Sequence, residues 1–230
     1  MSLRFLASGT GRVAIGAVIL ALIGVLGWWV VTGWHPSRKT YVFQGIDVSD
    51  EQGAIRWPTI AAGGADFAYV RATMGADGRD SRFATNWADV HAAGMRRGAL
   101  HIWSFCKPAA DQANNFNTTV PRVDDALPAA VLIQVSPGCT VQPDRAALIA
   151  EIDRFASMVE AHTGTPILLK IAAPVETQYE LSAAIQRPLW SMRNFIPPNY
   201  AARPWRMWQA SDIRHIDGVN GPVRWNVVAP

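Results

Sequence analysis

Acidic residues are missing from the first 40 positions. All 18 lie beyond them, with 17 of the 21 basic residues, so the rest of the chain has a formal charge near −1. The basic excess of the whole sequence sits in its short N-terminal flanks, and no basic face for nucleic acid is implied. Cysteine is nearly absent too: Cys106 and Cys139 are the only two in 230 residues. They make either one disulfide in an oxidising compartment or a pair of buried thiols. No glycine-rich phosphate loop occurs, because GADG near residue 75 lacks the spacing and the strand-to-helix setting such a loop needs. There is no internal repeat. Half the residues are hydrophobic, which excludes a mainly disordered chain.

The longest apolar run is VAIGAVILALIGVLGWWVV, 19 residues without a charge at 13–31. At ~1.5 Å per residue it covers about the hydrocarbon thickness of a bilayer. Trp28, Trp29 and Trp34 stand at its end, where indoles favour the interface. A cleaved signal peptide has a shorter core and a small-x-small exit, so the run reads as a transmembrane signal anchor. Arg4 and Arg12 precede it, while Arg38 and Lys39 follow, so the charge bias is nearly balanced. The expected organisation is a tail (1–12), a transmembrane helix (13–31), a linker (32–41) and one domain (42–230).

Within that domain, strand and helix patterns alternate. VFQGIDVS, ADFAYVRAT, MRRGALHIWSF, LPAAVLIQVS, TPILLKIA, RPLWSMRNF and RPWRMWQASD read as strands, the last leading to a short HIDGVNGPVRWNVV end. Between them lie helical stretches, of which DRAALIAEIDRFASMVEAHTG is the clearest, closed by Gly164. In DQANNFNTTV, Asp111 is a candidate N-cap. LPAAVLIQVS is apolar almost throughout, as a parallel strand covered on both faces should be. About eight strands with little helix near the end predict an α/β fold: an irregular (β/α) barrel, TIM-barrel-like.

In a barrel of parallel strands, function gathers at the C-terminal strand ends. Those ends carry Asp47, Arg71, Met74, His101, Trp103, Leu132, Gln134, Lys170, Arg193, Asn194, Gln209 and Asp212, with Ser104, Ser136 and Ser211 beside them. Trp103, Trp190, Trp205, Trp208 and Trp225 fall on or near the same strands, and a groove of indoles and amides suits a sugar chain. If the strands ending before Cys106 and Cys139 are parallel neighbours, both cysteines leave the sheet at one edge, where a bridge is easily made.

The stretches GIDVSDEQGAIRW, FAYVRATMG, FATNWADVHAAGMRRGALHIWSF, QANNF and WRMWQASDIRHIDGVNGPVRWNVV, in this order, resemble glycoside hydrolase family 25, the Chalaropsis-type lysozymes or muramidases. The resemblance covers residues 43 to 228. It implies the irregular barrel, cleavage of the β-1,4 bond between N-acetylmuramic acid and N-acetylglucosamine in peptidoglycan, and no metal or organic cofactor.

It also implies where the family's acids fall. The Asp of the opening G-x-D-V-S is Asp47. The D-x-E pair at the end of LPAAVLIQVS falls on Leu132 and Gln134, the acid of the closing G-x-V-D-x-N on Arg224, and the Glu of A-T-E-G on Met74. Glycoside hydrolysis ordinarily requires two carboxyl groups, one to protonate the leaving oxygen. The expectation is therefore a catalytically degenerate, membrane-tethered domain that binds peptidoglycan strands or an envelope partner. The alternatives are an active muramidase with a rearranged site and a protein scaffold with a vestigial groove. The domain is expected outside the cytoplasmic membrane.

Overall fold

A computed structural model describes residues 9–135 and 138–230. The chain divides into a helical segment that ends at Trp34 and a compact unit from His35 to Pro230. In the first, α1 (Gly9–Gly33) contains no proline, and from residue 13 to residue 31 it is apolar on every side. Its portion Val13–Gly33 has a mean hydropathy of 2.5 and is long and apolar enough to cross a membrane. The helix thus runs two residues past the apolar run read from the sequence.

The second unit is a closed barrel. In chain order its elements are β1 (Gln44–Val48), a 3-10 turn (Asp50–Gln52), α2 (Trp57–Ala62), β2 (Phe67–Met74), β3 (Gly78–Arg79) and α3 (Phe83–Ala92). Next come β4 (Arg96–Ile102), α4 (Ala109–Thr119), β5 (Ala130–Ile133), α5 (Arg145–Thr163), β6 (Leu168–Ile171), α6 (Ala173–Tyr179) and α7 (Leu181–Ala184). β7 (Leu189–Met192), β8 (Met207–Arg214) and β9 (Val223–Val228) end the chain. Around the ring the order is β1-β9-β8-β7-β6-β5-β4-β2, closed by parallel pairing of β1 with β2; β3 is a short hairpin partner of β2. β9 runs antiparallel to both its neighbours, and every other ring pair is parallel.

The longest covering helix, α5, has an apolar stripe at helical spacing. Leu148, Ile152, Phe155 and Val159 of α5 are buried, and Gly164 ends that helix in the left-handed conformation at φ 77°. The N-cap of α5 is Asp144, whose side chain accepts from Ala147 N at 3.0 Å. Asp111 is not a cap: Pro108 holds that position on α4, and Asp111 lies one turn inside. Helical cover thins after β6. Left-handed Glu180 splits QYELSAAI between α6 and α7, and β7, β8 and β9 follow without further helices.

The interior is packed by side chains from alternate strand positions. Phe67, Tyr69, Leu100, Ala130, Leu132, Leu168, Trp190 and Met207 form one buried cluster. That cluster supports the polar layer above it, toward the C-terminal strand ends.

Candidate active site

β1 brings Asp47 into the barrel, and β6 brings Lys170 from the opposite wall. Lys170 Nζ donates to Asp47 Oδ2 at 2.5 Å, with both side chains 1% exposed. The ammonium also lies 3.9 Å from the centre of the Trp190 ring, a cation–π contact in a closed setting. Arg224, next to Asp47 across the β1–β9 ladder, places Nη1 4.0 Å from Asp47 Oδ1. Burial pushes the Lys170 amine down to about 8; Asp47 opposes that shift and Arg224 adds to it. Trp190 Nε1 donates to Asn226 Oδ1 at 3.1 Å. Asp47 Oδ1 and Gln209 Oε1 are buried acceptors without a hydrogen-bond donor among the described residues.

Leu132 and Gln134 project to the same side, two residues apart, as a strand requires. Leu132 pairs in register with Lys170 and belongs to the inner cluster, 6% exposed. Gln134 is half-buried just beyond the end of β5, and Met74 is exposed at the end of β2.

Above this layer, Arg71 gathers three carboxylates. Its guanidinium bonds Asp50, Glu51 at 2.9 Å and Asp80 at 2.8 Å. Asp80 also accepts from the backbone of Asp50 and Arg82, so it is a structural post. Asp50 and Glu51 remain partly open to solvent, yet both share the one cation.

Just beyond β7, Arg193 Nη1 donates to Asn199 Oδ1 at 3.0 Å and Asn194 Nδ2 donates to Asp212 Oδ1 of β8 at 2.6 Å, both at the surface. Gln209 is buried, paired in register with Met192 on one side and Asn226 on the other. His101 and Trp103 are not groove residues. Both point outward from β4 beneath the helices: His101 stacks on Phe155 at 4.8 Å and Trp103 meets the same ring edge-on at 5.7 Å. The His101 ring is fully buried between Thr73 Oγ1 (2.7 Å) and Gln112 Oε1 (3.1 Å), and burial pushes its pKa down to about 4. Cys106 and Cys139 are joined in a disulfide, with Cα atoms 5.9 Å apart. Ser136 lies outside the described residues. Among those residues, no group of three His, Cys, Asp or Glu side chains is set to hold a metal ion.

A family model for glycosyl hydrolases family 25 matches residues 46–219. This chain belongs to that family. The Escherichia coli K12 protein YegX is 31% identical over 196 residues, 82% of this chain and 70% of its own length. Among solved structures, a family 25 glycosyl hydrolase from Bacillus anthracis superposes with a TM-score of 0.77 at 28% identity, covering 86% of this chain and 92% of that one. A bacterial lysozyme from Streptomyces coelicolor gives 0.75 at 27% identity, covering 81% and 91%.

Two features of this family 25 barrel escape a sequence reading. Asn226 and the Trp190 indole form part of the inner polar layer, and only the antiparallel run of β9 brings them together. The rim cluster on Arg71 unites acids at 50, 51 and 80, whose one available signal was their place in loops after strands.

Proposed function

We propose that this protein is a membrane-tethered family 25 barrel that does not hydrolyse glycan and instead binds the glycan strands of peptidoglycan. One observation carries the reading: Asp47 is sealed inside the barrel on Lys170. A general acid must touch the glycosidic oxygen, within ~3 Å, and must carry a proton when it does so. A carboxyl group 1% exposed and held at 2.5 Å by the Lys170 ammonium is closed off from a glycosidic oxygen in the groove.

The positions where the family resemblance puts further acids are Leu132, Gln134, Met74 and Arg224, and none of these side chains is a carboxyl group. Loss of a positioned acid costs about 10² to 10⁴ in rate, and the reaction ordinarily needs a partner carboxylate as well. Gln134, Arg193, Asn194 and Asp212 at the outer strand ends offer donors and acceptors to sugar hydroxyls and acetamides. Few of them are desolvated, so dissociation constants of ~10⁻⁵ to 10⁻³ M are expected. The relatives named lysozyme motivate peptidoglycan as the ligand. The membrane-length helix and the disulfide favour a barrel on the outer side of the cytoplasmic membrane.

The test is peptidoglycan digestion with muropeptide analysis. It compares wild type, Asp47→Asn and the triple variant Leu132→Asp, Gln134→Glu, Arg224→Asp, with binding to purified sacculi measured alongside. The expected result is no release of reducing ends by wild type, with measurable sacculus binding. Release by wild type that is lost in Asp47→Asn overturns the non-hydrolytic reading. Absence of sacculus binding favours a protein scaffold.

A rearranged active site has one observation in its favour, the partly open Asp50 and Glu51 at the rim. Wild-type release of reducing ends that survives Asp47→Asn but is lost in Asp50→Asn or Glu51→Gln would establish it.

A further inference from the structure

The end of the barrel opposite the candidate site holds a cavity of about 400 Å³. Its lining follows from the strand directions. Phe67, Leu168 and Met207 open β2, β6 and β8, Pro128 and Pro188 precede β5 and β7, and Val228 ends the antiparallel β9. Phe43, just before β1, stands at its edge and is 60% exposed, as is Val42.

The polar groups there are few. Tyr69 Oη already donates to Pro128 O at 3.0 Å. The Asp66 carboxylate is occupied by Arg38 at 2.7 Å and by Gln44 N at 2.8 Å. Arg96 and Arg206 also line the cavity, both are exposed, and neither side chain makes an ion pair or hydrogen bond among the described residues. A sugar entering such a chamber would leave its hydroxyls without partners. An aliphatic chain would not, and two unpaired guanidinium groups at the edge suit an anionic head.

We infer that this basal cavity receives an acyl chain of an anionic phospholipid, with Arg96 and Arg206, on opposite walls of its mouth, attracting the anionic headgroup. Sequence distance supports the source: Phe43 follows the last residue of the membrane-length helix by ten positions, at most ~35 Å of extended chain. The anchored chain is therefore never far from lipid. The inference rests on reading Val13–Gly33 as a membrane span, and it is independent of whether the candidate site is hydrolytic.

The test uses the full chain in lipid nanodiscs. These contain phosphatidylglycerol or phosphatidylcholine with a diazirine on the acyl chain, and labelled peptides are mapped after irradiation. Labelling is expected at the cavity wall, near residues 43, 127–128, 207 or 228, and to be stronger with phosphatidylglycerol. Arg96→Gln with Arg206→Gln should lower it about tenfold, and Val228→Trp, which fills the cavity, should abolish it. Labelling confined to residues 13–33, equal labelling by the two lipids, or labelling that survives Val228→Trp overturns the inference. Carbonate extraction of membranes tests the span separately: release of the full chain refutes the anchor, whereas an integral chain without cavity labelling refutes only the lipid site.

Discussion

Lys170 and Asp47, 123 residues apart, sit on strands four places from each other in either direction around an eight-strand ring, and their side chains meet across the interior at 2.5 Å. The lysine therefore spans the barrel and ties its two opposite walls together. Such a pair contributes less through attraction than through what its loss exposes, because an unpaired buried charge is costly.

Asp47→Asn should destabilise the barrel by ~3 to 5 kcal/mol, since it leaves the buried Lys170 ammonium beside Arg224 without a counter-charge. Adding Lys170→Met should recover a large part of that loss. Denaturant unfolding of the 35–230 unit measures both, and a double variant no better than Asp47→Asn alone would show that the two residues are not coupled.

The same lysine gives a pH dependence. Its pKa falls from 10.5 to about 8 in the folded protein, chiefly through burial. Between about pH 8 and 10 the unfolded chain holds a proton that the folded barrel has released, so stability rises with pH. The rise is ~2 kcal/mol across that window. Above pH 10 the buried Tyr69, whose pKa is raised by desolvation, opposes it, because the unfolded tyrosine ionises first. Unfolding midpoints across pH 8–10 should climb in wild type and stay flat in the Lys170→Met, Asp47→Asn pair.

His101 acts at the acid end. Burial lowers its pKa from 6.5 to about 4, with the Gln112 hydrogen bond opposing. As pH falls through this interval the unfolded imidazole takes up a proton and the folded one does not, so ~3 kcal/mol of stability is lost by pH 4. His101→Gln should start from a lower stability at pH 7 and fall less steeply from 6.5 to 4. Equal slopes in the two proteins would place the acid sensitivity elsewhere.

The disulfide joins the segment after β4 to the segment after β5, with a sequence separation of 33 residues. Closing a loop of that length restricts the unfolded chain by ~3 to 4 kcal/mol. Cys106→Ser with Cys139→Ser should lower the unfolding free energy by about this much, and a reducing agent should do the same to wild type but leave the variant unchanged.

Much of the architecture was legible in residue order. The uncharged run before residue 32 implied a bilayer-length helix, and α1 carries it. Alternating apolar strands and amphipathic helices implied an α/β barrel, because a parallel strand needs helical cover on its outer face. The two-residue period also placed Leu132 and Gln134 on one side of β5, next to the lysine of β6. The period alone says nothing about which set of a doubly buried strand faces inward, since both sets are apolar. In β4 it is Gly98, Leu100 and Ile102 that face the interior, and His101 and Trp103 that lie under α4 and α5.

Sequence by itself settled the anchor-length helix, the barrel class, and which kinds of side chain stand at the strand ends, because these depend on local periodicity and composition. Tertiary structure alone decided that Lys170 reaches Asp47, that Arg71 collects three acids, and that an apolar chamber opens beneath the interior cluster. Those relationships depend on ring closure, which brings together residues that no local pattern connects.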